Sequence, residues 1–254
     1  MPISGPDVLL YEKKDKIVTI TINRPERMNA LSLELWQKLA EAWERFRKDD
    51  DAWVAILTAS GDKAFCAGFD LLEAAKGLPE IEMPEIGHID IWKPMISAIN
   101  GFAVAGGFMI AMSCDIRIAS EHAQFGISET KWNLPAYWVS DLSKWMSLGH
   151  ALEIALWGDD RIGAQRAYEM GLINRIVPKE KLMEEAMTWA ERMIYLAPRC
   201  VRNVKEIIYR GYYMPWQDGR SFGTALEQNL KGMQDTLEGS TAFAEKRKPK
   251  FQNR

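Results

Sequence analysis

Residues 100–111 read N-G-F-A-V-A-G-G-F-M-I-A, and they narrow the fold more than any other stretch. An apolar run, residues 94–99, ends in Asn100-Gly101, and a glycine pair then opens a second apolar run. This is the pattern of a strand, a tight turn and the start of a buried helix. Glycines let a ligand approach the main chain, and the first N–H groups of a helix have no partner within it. Such groups suit a place where negative charge builds on an oxygen. A glycine pair is also common in close-packed turns, so this segment alone does not decide between the two.

A second elbow strengthens the anion-stabilising reading. Residues 63–71, K-A-F-C-A-G-F-D-L, again run from an apolar strand end through a glycine into a helix. Two such elbows can each supply one N–H to the same oxygen.

The 254 residues suffice for one sizeable core, or one core with a smaller appendage. Nearly half are hydrophobic and about a quarter charged, as in ordinary soluble domains. A formal charge of −3 gives no reason to expect nucleic acid or an anionic membrane surface as a partner. No apolar run approaches the roughly 20 residues that span a bilayer. The first residues, M-P-I-S-G-P-D, lack the basic-then-apolar layout of a signal peptide, so a cytoplasmic location is expected. Cys66, Cys114 and Cys200 are expected as buried free thiols, since three widely spaced cysteines give neither a disulfide framework nor a zinc site.

The remaining pattern is α/β. Residues 16–22 (K-I-V-T-I-T-I) and 53–58 read as strands, and residues 32–48 carry Leu35, Leu39, Trp43 and Phe46 at helical spacing behind a Ser32 N-cap. Strand, helix, strand then repeats through 94–99, 107–114 and 116–119. Beyond about Pro198 the chain reads as helix over 197–213, 222–238 and 241–246, with breaks at Met214-Pro215 and Gly239-Ser240. We therefore expect a core of residues 1–197 and a helical segment of 198–254. Residues 73–90, with His88, are the candidate loop over a site.

The two elbows, together with N-R-P-E-R-M-N-A-L (23–31), A-Q-F-G-I-S-E (123–129), A-Y-E-M-G-L-I-N-R-I-V (167–177) and F-A-E-K-R-K-P-K-F (243–251), resemble the crotonase, or enoyl-CoA hydratase/isomerase, superfamily along nearly the whole chain. The resemblance implies a spiral of β-β-α turns, with a C-terminal helical segment that forms trimers and stacked hexamers. It implies an acyl-coenzyme A thioester substrate, with coenzyme A entering as part of that substrate, no permanently bound cofactor and no metal. The N–H groups of Phe69 and Gly106 would hold the enolate oxygen, and Glu129 would be the general acid/base.

The same resemblance places Arg27, Met28, Ala30, Leu31, Ala67, Gly68, Asp70, Leu71 and Gly107 around the substrate, with Lys246 or Lys250 meeting the phosphates. Hydratases of the family carry a further glutamate three residues after the oxyanion glycine, where this chain has Met109. Glu129 should then face an apolar pocket with Met109, Trp132 and Trp138, which would raise its pKa. F-G-I-S-E-T-K-W-N-L-P (125–135) is similar to the hydroxycinnamoyl-CoA hydratase-lyases, although Phe222 stands where they supply a tyrosine. Tyr137 either positions water or a carbonyl, or packs. Hydratase or hydro-lyase is the expected activity. The alternatives are a double-bond isomerase, a decarboxylase and a non-catalytic CoA-binding subunit.

Overall fold

A computed structural model describes residues 7–76, 90–134 and 136–254. The proposed loop 73–90, with His88, therefore lies largely outside the described residues, as does Pro135.

The β-branched runs form a six-stranded sheet. It is built from β1 (Leu9–Lys14), β2 (Ile17–Ile22), β3 (Val54–Ala59), β5 (Met95–Ile99), β7 (Ile116–Ser120) and β10 (Arg175–Val177), in that spatial order. Only β1 runs antiparallel to its neighbour. A second sheet of four short strands orders β4 (Ala64–Cys66), β6 (Phe102–Val104), β8 (Gln124–Gly126) and β9 (Ile162–Gly163). The chain alternates between the sheets, β3 to β4, β5 to β6 and β7 to β8, and so traces the expected spiral. After each crossing comes a helix: α2 (Leu71–Ala74), α3 (Gly106–Met112) and α4 (Glu129–Trp132).

Side-chain alternation along the central strands sorts the core into two layers, because successive residues of a strand point to opposite faces. Val18, Ile20, Ala55 and Leu57 join the cluster under α1 (Leu33–Lys48), which buries Leu35, Trp36, Leu39, Trp43 and Phe46. Ile17, Val54, Ile56 and Ile96 join the opposite cluster, covered by α8 (Leu182–Ile194) through Leu182, Ala186 and Ala190. Every residue of β3 and β5 is buried, as a parallel sheet covered on both faces requires. Ser32 caps α1 as expected, its Oγ accepting the Leu35 N–H at 3.1 Å.

Between these layers and the tail lie α5 (Leu142–Trp145), α6 (Leu148–Leu156) and α7 (Ala164–Glu169). The tail itself is α9 (Pro198–Gly211), α10 (Trp216–Glu227) and α11 (Gln234–Ala244). Pro215 does end the first of these, but the expected 222–238 helix is broken before it reaches Gly239. Lys231 is extended and Gly232 sits at φ +81, a left-handed turn that glycine adopts cheaply. Gly239-Ser240 lies inside α11 instead, with the Phe251 ring 3.7 Å from a Gly239 Cβ position. A charged network seats α9 on the core. Lys205 Nζ pairs with Asp115 Oδ2 at 2.8 Å and donates to the Lys93 carbonyl at 2.9 Å, while the Tyr209 hydroxyl donates to Asp115 Oδ1 at 2.9 Å.

Cys66 and Cys114 are buried and burial pushes both thiols up to about 12, whereas Cys200 is exposed on α9, contrary to the expectation of three buried thiols.

Candidate active site

The first elbow is formed where β4 leaves the second sheet. Gly68 takes φ +89, a conformation that side chains resist. Leu31 brackets the next residue: its N–H donates to the Gly68 carbonyl at 2.8 Å, and its carbonyl accepts the Asp70 N–H at 3.0 Å. Phe69 between them is left with an N–H that has no acceptor among the described residues. Ala67 donates to the Met28 carbonyl at 3.1 Å, so the 28–31 loop lies alongside this elbow.

The second elbow follows β6. Ala105 is held at φ 53, ψ −126, an unusual backbone state for a residue with a Cβ, with its N–H on the Gly126 carbonyl at 2.9 Å. Gly106 then opens α3 with an N–H that also lacks an acceptor among the described residues. The elbows interlock. A Cβ on Gly68 would lie 2.8 Å from Ala105 Cβ and 3.4 Å from the Gly106 nitrogen, and a Cβ on Gly107 would lie 2.0 Å from the Cys66 carbonyl oxygen. Two unpaired N–H groups are thus held side by side by contacts that only glycine permits.

Glu129 begins α4, three residues after the Gly126 that pairs with Val104 just before the second elbow. It is 5% exposed, and its Oε2 has no hydrogen-bond partner among the described residues. Burial holds its carboxyl above the ordinary value of 4.5, offset in part by its own main-chain N–H and by the Trp138 side chain. Trp138 is half-buried against Phe108, ring centroids 5.5 Å apart, and Phe108 meets Phe125 edge-on at 6.2 Å. Met109 is also half-buried against this cluster. An apolar setting with a single buried carboxylate suits proton transfer at carbon.

Other expectations need correction. Trp132 is 54% exposed, with Lys131 over its ring, so it does not enclose the Glu129 carboxylate. Tyr137 is 77% exposed, so it does not pack within the single chain. Asp70 was assigned to the substrate, but its carboxylate is buried and tied to Arg24 at 3.2 Å. Leu71 is exposed beside it on α2, and Ala30 contributes a carbonyl to Arg24. Arg27 is exposed at that edge, its Nε 4.0 Å from Asp70 Oδ2. Lys246 and Lys250 are exposed in a tail whose Phe251 packs into the α8 cluster, apart from the cluster that holds Phe69 and Met109.

Trp36 and Arg24 were missed. The Trp36 ring lies 5.1 Å from that of Phe69, and its only sequence sign was a place next to Leu35 on α1. Arg24 was visible inside N-R-P-E-R-M-N-A-L but was given no role. Among the described residues no group of acidic, histidine or cysteine side chains is arranged to hold a metal ion.

Known proteins resemble this chain along nearly its whole length. The family model described as enoyl-CoA hydratase/isomerase matches residues 12–254. The (E)-benzylidenesuccinyl-CoA hydratase of Thauera aromatica is 36% identical over 252 residues, covering 94% of this chain and 97% of the relative. The short-chain-enoyl-CoA hydratase of Clostridium acetobutylicum is 33% identical, covering 97% and 98%. Among solved structures, the enoyl-CoA hydratase of Bacillus anthracis superposes with a TM-score of 0.90 at 32% identity, covering 98% of this chain and 100% of that one. With the family model spanning residues 12–254 and relatives more than 30% identical along nearly the full length, the chain belongs to the enoyl-CoA hydratase/isomerase family.

Proposed function

We propose that this enzyme of the enoyl-CoA hydratase type adds water across the double bond of a 2-enoyl-CoA thioester, with one glutamate, Glu129, as general acid/base. The observation that carries the reading is the buried Glu129, one oxygen unpartnered among the described residues, in a chain that also presents two main-chain donors without acceptors among those residues.

In the reaction Glu129 takes a proton from water as the water oxygen bonds to C3. Electrons move through the conjugated system onto the thioester oxygen, where the N–H groups of Phe69 and Gly106 receive the charge. One such donor is commonly worth ~3–4 kcal/mol. Protonated Glu129 then delivers the proton to C2, the carbonyl re-forms and one water has been added. Met28, Ala30, Leu31 and Ala67 would line the coenzyme A channel, with Arg27 near its phosphates. Tyr137 is free to act on water or a substrate carbonyl. The C-terminal helical segment would join copies into a trimer or hexamer, and a cytoplasmic setting fits the free thiols.

Met109 supports a second reading. Without the further glutamate, Glu129 alone can shuttle a proton between two carbons and move a 3-enoyl double bond to the 2 position.

The deciding experiment incubates the protein with 2-enoyl-, 3-enoyl- and cinnamoyl-type CoA thioesters and follows mass and ultraviolet absorbance. Gain of one water, lost in Glu129→Gln, is the expected result. Bond migration without a mass change would establish the isomerase, and in a further incubation with a carboxylated acyl-CoA, loss of carbon dioxide would establish a decarboxylase. Tight thioester binding with no turnover would leave a non-catalytic subunit.

A further inference from the structure

The Phe69 donor is a main-chain group, so its direction is set by whatever holds the backbone on either side. Leu31 holds both flanks through the Gly68 carbonyl and the Asp70 N–H. Arg24 closes the circuit. Its Nη2 donates to Asp70 Oδ2 at 3.2 Å, while its Nη1 donates to the carbonyl of Ala30, the residue before Leu31. The circuit is itself anchored. Asn29, 1% exposed and left-handed at φ 55, accepts the Arg24 N–H at 2.9 Å and donates to the Ser60 and Ala64 carbonyls at 2.9 and 2.7 Å. Asp70 is 7% exposed, so this pair is shielded from water.

We propose that Arg24 and Asp70 are positioning residues that aim the Phe69 N–H at the enolate oxygen, although neither touches the substrate. The proposal rests on the reading of Phe69 as an oxyanion donor. A planar guanidinium can hold two acceptors at a fixed angle, which an ammonium cannot. The half-exposed Arg27, 4.0 Å from the same Asp70 oxygen, adds charge at the surface but no second anchor.

Asp70→Asn and Arg24→Lys test this in the full chain with two readouts. The first is kcat and KM for hydration of a 2-enoyl-CoA. The second is the near-ultraviolet spectrum of bound acetoacetyl-CoA, whose enolate reports how well the site stabilises an oxyanion. Small errors in donor placement are costly, so kcat should fall about 10- to 100-fold in each variant while KM stays within about twofold. The bound probe should enolise about one pH unit higher, a tenfold weaker enolate.

A lower melting temperature with unchanged kcat per folded site and unchanged enolisation would overturn the proposal, because the pair would then only hold the fold. A rise in KM alone would overturn it as well, since Asp70 would be a ligand contact. If Asp70→Asn does not fold, Arg24→Lys decides on the same two readouts, and failure of both to fold would mark the pair as purely structural. Should the wild type turn over no enoyl thioester, the hydratase reading falls, yet the enolate spectra still report on the clamp.

Discussion

Glu129 is the residue whose chemistry and stability pull in opposite directions. Its carboxyl is raised above 4.5 by burial, so the folded chain binds its proton more tightly than the unfolded chain does. The stability this contributes is complete below 4.5 and is lost as pH rises through the folded value. Glu129→Gln removes that dependence. It should melt higher than wild type at pH 8, with the difference vanishing below pH 4.5, as a calorimetric pH series would record. The same variant should lose hydration by about 10³-fold or more, since the group takes and returns the proton. For the wild type, the acidic limb of kcat/KM should lie above 4.5, because the base must be ionised to accept the proton from water.

Between elements, the decisive contact is α3 against β4. Gly107→Ala would drive a methyl group to 2.0 Å from the Cys66 carbonyl, and backbone must move to admit it. Overpacking of this kind costs about 1–3 kcal/mol, and here it also tilts the Gly106 donor. A lower melting temperature with a fall in kcat larger than that in KM is expected. Ser32→Ala is the contrasting case: loss of the α1 cap costs ~1 kcal/mol, with kcat retained. The elbows were legible because glycine pairs and strand ends are local signals. The long central strands were legible through their β-branched residues. Trp138 beside Glu129 was legible from the motif, but the Phe108 ring behind Trp138 and the Arg24 partner of Asp70 were not, because burial is set by elements distant in sequence. Tyr137 and Trp132 were placed by residue type and motif, which carry no information on which way a short helix turns. The break at Gly232 was missed because an isolated glycine is ambiguous between a helix interior and a turn.

Across the whole molecule, apolar surface remains uncovered. Leu148, Leu152 and Leu156 lie one turn apart along an exposed stripe of α6, and Val204 and Ile208 on α9 are exposed with its C-cap Tyr212. Patches of this kind mark surfaces that meet other proteins. Sedimentation should therefore give a mass above one chain, and the double variant Leu152→Glu with Ile208→Glu should shift it downward. Lys205→Met should cost up to about 3 kcal/mol, because the half-buried Asp115 is left without its cation, and urea unfolding would measure it. The main-chain origin of the two donors has a further consequence, for how such a chain can diverge. Apart from proline, a substitution at position 69 leaves the N–H in place and alters only the side chain beside Trp36. On the role proposed for the two donors, acyl preference would drift through single replacements while every intermediate keeps its hydrogen bonds to the enolate. A lineage built this way can change its substrate without passing through a dead ancestor.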